Sequence, residues 1–276
     1  MLQFIVDDEK CIRCGECARD CVSRIIVQQG DDLPFIPAEK EAGCVHCQHC
    51  LAICPTAAVS IFGKDPAESI ALSADSFPTL AQMTRLVRGR RSVRRYRDEN
   101  VDPVLLNQLL VTLANVPTGV NASELTFHVI DDKDVMRKFQ HQVLDALREA
   151  ACENGIPAGI AYLGKIAGMP FEQGVAILFR NAPHAIIVSA PADAPCPQED
   201  VTLALAYFEL LAQSAGLGTV WWGMGKMTLE TLPELKPLLN LPAGHKYYAM
   251  LFGTPAISYP RTVQRDDAAV VRRVEL

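Results

Sequence analysis

Eight of the ten cysteines in this 276-residue chain fall between Cys11 and Cys54, in two runs of one spacing. Cys11, Cys14, Cys17 and Cys21 make the first run; Cys44, Cys47, Cys50 and Cys54, followed by Pro55, make the second. In C-x2-C-x2-C-x3-C, three thiolates can wrap one corner of a compact inorganic cluster while the fourth, leaving on a short helix, is aimed at a neighbouring cluster. The crossed pattern assigns Cys11, Cys14, Cys17 and Cys54 to one 4Fe-4S cluster and Cys44, Cys47, Cys50 and Cys21 to a second. A structural zinc site usually takes its ligands in two pairs, which two tight quartets fit poorly, and disulfides are not expected in a chain that starts without a signal segment. His46 and His49 lie between ligands, but thiolates already fill all eight positions, so both read as exposed polar residues. Cys21 is followed by Val22 where the second run has proline, so the local turn or the shielding of that cluster differs.

A second concentration of chemistry runs from Arg85 to Arg97, with seven arginines and no acid. Such a run can be a solvated basic face, or a patch for acidic membranes or nucleic acid. Ser92, set between Arg91 and Arg94, offers a third reading, because guanidinium forks with a hydroxyl suit a terminal phosphate dianion.

The elements that must position these residues divide the chain in two. Around the cysteines, Phe4–Val6, Arg24–Val27, Phe35–Ile36 and Val59–Ile61 read as short strands flanking two copies of one unit. Residues 64–79, with their Asp-Pro, Ser/Ala/Asp-rich and Phe-Pro stretches, read as a linker between a first domain (1–63) and a second (80–276). There the patterning predicts a helix from Leu80 to Val87 and another from Val104 to Val116, with Asp102 as N-cap and Pro103 at its first position. Thr126–Ile130 reads as a strand, followed by a helix capped at Asp131–Asp132 that runs to about Ala151, with Val135, Phe139, Val143, Leu147 and Ala151 on one face. Ala185–Ser189 and Tyr247–Phe252 read as buried strands. Val201–Ala215, apolar nearly all round, reads as a central helix closed by Gly216. Cys152 and Cys196 read as ordinary thiols.

Composition bounds the partners. The chain is 49% hydrophobic and 21% charged, with net charge -6, as expected of a folded protein that does not use nucleic acid as its main partner. Residues 1–63 carry nine acids and five bases, and clusters held by thiolates would add negative charge. No apolar run approaches the roughly 18 residues of a membrane span, and the start turns acidic before a signal-length apolar run develops. The expected location is cytoplasmic.

The cysteine block resembles a two-cluster bacterial-type ferredoxin. The order of Arg90-Arg91-Ser92-Val93-Arg94-Arg95-Tyr96, Pro117-Thr118-Gly119-Val120-Asn121, Ala182-Pro183, Gly216-Leu217-Gly218-Thr219-Val220-Trp221-Trp222-Gly223 and Phe252-Gly253-Thr254-Pro255 resembles the FMN-dependent nitroreductase family over about residues 80–276. The resemblance implies an α+β fold, with a ferredoxin-like 2x4Fe-4S domain followed by a central antiparallel sheet flanked by helices, and a homodimer with FMN at its interface. By position it implies that Arg90, Arg91 and Ser92 hold the ribityl phosphate end with Arg261. Arg94 would lie near flavin N1 and O2, and Thr118, Gly119 and Asn121 would come from the other subunit. Trp222, Gly223 and Met224 complete the implied cofactor set, with the Gly223 and Met224 backbone near N5; Trp221 reads as core. The Thr118-Gly119 pair and Ser123-Glu124-Leu125 depart from the family pattern. No strand-G-x-G-x-x-G-helix unit is present, but the resemblance implies that NAD(P)H can still enter as a donor through the flavin pocket itself.

These readings lead to one main expectation. A low-potential donor such as ferredoxin reduces the clusters, which relay electrons to FMN, which reduces a nitroaromatic, quinone or similar small acceptor. No separate acid-base constellation is seen, and Arg94 tunes the flavin. The rival expectations are an electron-transfer module whose flavin domain is a relay, and an NAD(P)H-driven reductase.

Overall fold

The computed structural model describes residues 2–153, 155–265 and 268–275. The chain forms two compact units: Met1–Pro78 with the short segment Val120–Ala122, and Thr79–Gly119 with Ser123–Leu276.

The first unit is two turns of one design. Strand β1 (Ile5–Val6) pairs antiparallel with β2 (Val59–Ser60), closing the ends of the unit onto each other. Val27 and Phe35 form an isolated bridge where two more strands were expected, so that hairpin is shorter than its apolar residues suggest. Helices α1 (Glu16–Arg19) and α2 (His49–Ala52) are single turns, each carrying the third cysteine of its run. The small core gathers Leu2, Ile25, Ile26, Leu51, Val59 and Ile61 around Cys17 and Cys50. Left-handed backbone recurs at a fixed offset: Arg13 and His46, Gly15 and Gln48, and Arg24 and Ala57 all have φ between 52° and 73°. Four of the six carry a side chain longer than alanine's, and for such residues this conformation is uncommon. Its repetition therefore marks a geometry imposed on both runs.

The segment read as a linker falls within the first unit and is not featureless. Asp65 caps a short 3-10 turn by accepting from the Ala67 amide, and Ser73 caps another at Ala74–Ser76. Thr79 then opens helix α3 (Leu80–Gly89) with a capping box to Gln82.

In the second unit α4 (Pro103–Thr112) starts at the expected Asp102 cap but tightens into a 3-10 turn after Thr112, short of the expected end. Strand β3 (Thr126–Ile130) leads to α5 (Lys133–Cys152), whose N-cap Asp132 accepts from the Asp134 and Val135 amides at 2.9 Å. Its buried stripe is Met136, Phe139, Gln140, Val143, Leu144 and Leu147, whereas Val135 and Ala151 are exposed. A strict four-residue row drifts around a 3.6-residue helix, and the neighbouring row takes over. Helices α6 (Tyr162–Ala167) and α7 (Phe171–Leu178) follow. They are succeeded by β4 (His184–Ala190), α8 (Pro197–Ser214), β5 (Gly218–Trp221), α9 (Gly223–Thr231) and β6 (Lys246–Gly253).

The sheet is antiparallel throughout, in the order β3-β4-β6-β5. Both faces are covered. Ala185, Ile187, Ala249 and Leu251 face the core shared with α5, α6, α7 and α9, while Ile186, Val188, Met250 and Phe252 face α4 and α8. Period-two alternation with apolar residues on both sides explains why β4 is buried along its whole length. Burying side chains such as Phe179, Phe208 and Ile186 stabilises the unit by about 1.5–3 kcal/mol each.

Candidate functional site

In the first unit Cys11, Cys14, Cys17 and Cys54 line one pocket, together with Gly15, Pro34 and Thr56. The fourth cysteine of the second run thus enters the pocket of the first. Burial pushes the Cys17 thiol up, and the nearby Cys54, Cys11 and Cys14 push it further. Burial likewise pushes Cys50 up to about 11, with Cys47, Cys17 and Cys44 as its charged neighbours. Packing several thiolates so close is unfavourable unless a cationic centre sits among them, so the donor set fits a thiolate-ligated iron–sulfur cluster. Cys54 behaves differently. Burial raises it, but the Ala58 amide (3.2 Å), the Thr56 hydroxyl (3.8 Å) and other amides outweigh that and leave its thiol lowered. Cys44 and Cys47 accompany Cys50, and Cys21 packs against the same core. Of the intervening histidines, His49 meets Asp20 at 3.1 Å and His46 packs edge-on against Phe62. Val22, in the place proline takes after Cys54, is 75% exposed.

In the second unit the arginine-rich stretch leaves α3 at Arg90 and runs beside β5. Ser92 bridges Thr219 in parallel, and the Val93 amide donates to the Thr219 carbonyl at 2.8 Å. Gly218 makes this approach possible, since a Cβ there would lie 2.6 Å from the Val93 side chain. Arg90 donates to Glu209 Oε1 at 3.0 Å, and Glu209, a 7% exposed acid on α8, also faces the Thr219 hydroxyl and the Trp221 indole. One edge of the Arg90 guanidinium is therefore engaged by the protein itself. The side chains of Arg91 and Arg94 turn back on the main chain, with Arg91 Nε on the Arg90 carbonyl and Arg94 Nη1 on that of Ser92. Tyr259 reaches the same Ser92 carbonyl at 3.5 Å, and Arg261 follows it at an exposed bend.

Gly223 and Met224 open α9, so their amides have no acceptor within the helix. The Trp222 side chain, expected among the cofactor contacts, is turned into the core. It is 3% exposed, its indole donates to the Leu178 carbonyl at 2.8 Å, and its rings pack with Phe139 and Phe179. Trp221, the residue read as core, is the less buried of the two. Strand alternation assigns the two indoles to opposite faces, and a motif alone does not say which. Thr118 accepts from the Ser123 amide at 3.0 Å, and the Gly119 amide donates to the Asp200 carboxylate at 3.0 and 3.2 Å. Asn121, with φ 58°, belongs to the segment grouped with the first unit. Sequence reading missed Glu209 and Asp200; the signal of Glu209 was an acid in the otherwise apolar Val201–Ala215 stretch, whereas Asp200, beside Glu199 in the first turn of α8, had none.

Comparison with known proteins follows the same division. A family model described as the nitroreductase family matches residues 87–254, and one described as a 4Fe-4S dicluster domain matches residues 10–59. An iodotyrosine deiodinase from Thermotoga neapolitana is 24% identical over 161 residues, covering 57% of this chain and 80% of the relative. A nitroreductase with bound FMN from Bacteroides fragilis superposes with a TM-score of 0.55 at 19% identity, covering 69% of this chain and 99% of that one. An FMN-dependent nitroreductase from Mycobacterium smegmatis in complex with NADPH gives 0.50 at 18% identity, covering 71% and 100%.

Proposed function

The chain belongs to the nitroreductase family and carries a 4Fe-4S dicluster domain ahead of its nitroreductase domain, and from that premise we propose a flavin oxidoreductase fed one electron at a time. When bound, two 4Fe-4S clusters would supply single electrons and FMN would deliver them in pairs to a nitroaromatic, quinone or similar acceptor. The carrying observation is the cysteine-lined pocket of the first unit, completed by Cys54 from the second run.

The chain's own residues have distinct tasks in this reading. Cys11, Cys14, Cys17 and Cys54 hold one cluster; Cys44, Cys47, Cys50 and Cys21 hold the other. Arg91, Ser92 and Arg261 bind the flavin phosphate, with the free edge of Arg90 as a further donor. Arg94 places a cation where reduction puts negative charge, and the unpaired amides of Gly223 and Met224 offer donors to the ring. Thr118, Gly119 and Asn121 form the loop contributed across a homodimer. The donor is a low-potential protein such as ferredoxin, and the location is cytoplasmic. Among the described residues no helix is long and apolar enough to cross a membrane. The proposed functional domains are 1–63 and 80–276, with 64–79 as the linker.

Anaerobic protein, assayed for iron, sulfide and flavin, tests the assignment. Cys14→Ala should lose cluster iron and keep FMN; full retention of iron would overturn the ligand set. Reduced protein should turn over p-nitrobenzoate or a quinone catalytically, and stoichiometric reoxidation alone would instead make it a relay. The NADPH held by the Mycobacterium smegmatis structure favours one second reading, a nicotinamide-driven reductase. Rapid bleaching of the flavin by NADPH in cluster-free protein would replace the relay by that route.

A further inference from the structure

The second unit has a cavity of about 300 Å³ between the first turns of α5, the start of α7 and the segment leading into β4. Its lining includes Gln140, which is 6% exposed and makes no side-chain hydrogen bond among the described residues. Among the described residues His184 Nδ1 and Tyr247 Oη are the orphaned atoms sealed from solvent, and Gln140, which lines the cavity, is not one of them. With no protein partner among the described residues, that amide is available to whatever fills the cavity. The rim adds strain, since Arg180 and Asn181 are consecutive left-handed residues with φ 56° and 54°, and such conformations gather at ligand sites.

The charges around the cavity define what it would take. Lys133 is already bound to Asp98, through the carboxylate at 3.3 Å and the carbonyl at 3.1 Å. That leaves Arg137 and Glu172, one cation and one anion, neither with an ion pair among the described residues. A polyanion would meet both acids, and a lone cation both bases. A ligand with one charge of each sign would satisfy the two free groups, with its carboxylate in the Arg137 fork and its ammonium on Glu172. Phe171, braced by His141 stacked at 3.7 Å, provides an apolar wall beside them.

We propose that this cavity binds a free α-amino acid with an apolar side chain, with Arg137, Glu172 and Gln140 as its polar contacts. The proposal is independent of the redox reading, because none of these residues belongs to the proposed cluster or flavin sites.

Calorimetric titration of the full-length protein, loaded with flavin and clusters, tests it. The probes are L-phenylalanine and L-leucine, with 3-phenylpropanoate and phenethylamine as analogues lacking one charge. At least one amino acid should bind saturably, one per chain, and its single-charge counterpart about tenfold or more weaker, as loss of a charged hydrogen bond implies. Arg137→Ala, at an exposed position, and Gln140→Met, which removes only the amide, should each weaken binding while flavin and iron content stay constant. No saturable binding by either amino acid, equal binding of 3-phenylpropanoate, or undiminished binding by Arg137→Ala overturns the proposal.

Discussion

Single residues decide how each unit treats charge. The Thr56 hydroxyl and the Ala58 amide both point at Cys54 Sγ, and donors to a cluster sulfur favour the more negative, reduced state. Thr56→Val should therefore lower the potential of the cluster held by Cys54 by about 20–50 mV, the one-electron equivalent of about half to one kcal/mol of hydrogen bond. Redox titration followed by EPR reads this shift, and an unchanged or raised midpoint would remove Thr56 from the tuning. The dicluster domain was legible in the sequence because a repeated cysteine quartet leaves a spacing that little else produces. The fate of Arg90 was not, since seven arginines in thirteen residues look alike until Glu209, 119 positions later, engages one of them.

At the level of elements, the Gly-Leu-Gly-Thr stretch has two separate causes. Gly216, with φ 78°, turns the chain out of α8, and Gly218 admits Val93 against β5. Gly218→Ala should destabilise the second unit by about 1–3 kcal/mol through overpacking, and adding Val93→Ala should restore part of the loss. Denaturant melts of the two single variants and the double variant report the coupling, and strict additivity would sink the close-contact account. Periodicity located α5 and the central α8, where burial follows a repeating face. It was silent on α6, α7 and α9, helices of six to nine residues whose signal is too short to rise above their loops. It also passed over β5, four residues that read as the tail of a glycine motif.

For the whole molecule, stability should fall on acidification. Burial holds His184 below the ordinary histidine value, against smaller opposing effects of Ile130, Asp131 and Asp132, and its Nε2 accepts the Val101 amide at 3.0 Å. Burial and nearby His245 also lower His128. Both groups take up protons more readily unfolded than folded. Their contribution is therefore intact above pH 6.5 and is lost as pH drops below it, with a limiting slope of about 1.4 kcal/mol per pH unit for each. Chemical denaturation at pH 7.5 and 5.5 measures this, and His184→Gln should flatten the dependence. The first unit answers to a different variable. Its buried core is small and includes Cys17 and Cys50, so removal of iron should release amide protection across residues 2–62 while β4 and β6 keep theirs. Hydrogen exchange before and after chelation separates the two responses, and uniform protection in both would show that the first unit stands without metal.

The entry of Cys54 into the pocket of the first run also bears on ancestry. The paired left-handed positions, 33 residues apart, are what a duplicated segment would leave behind. Yet the first copy by itself supplies only three of the four sulfurs around its own pocket. Each copy is therefore incomplete alone, and the repeat is held together by the sulfur that the second copy gives to the first.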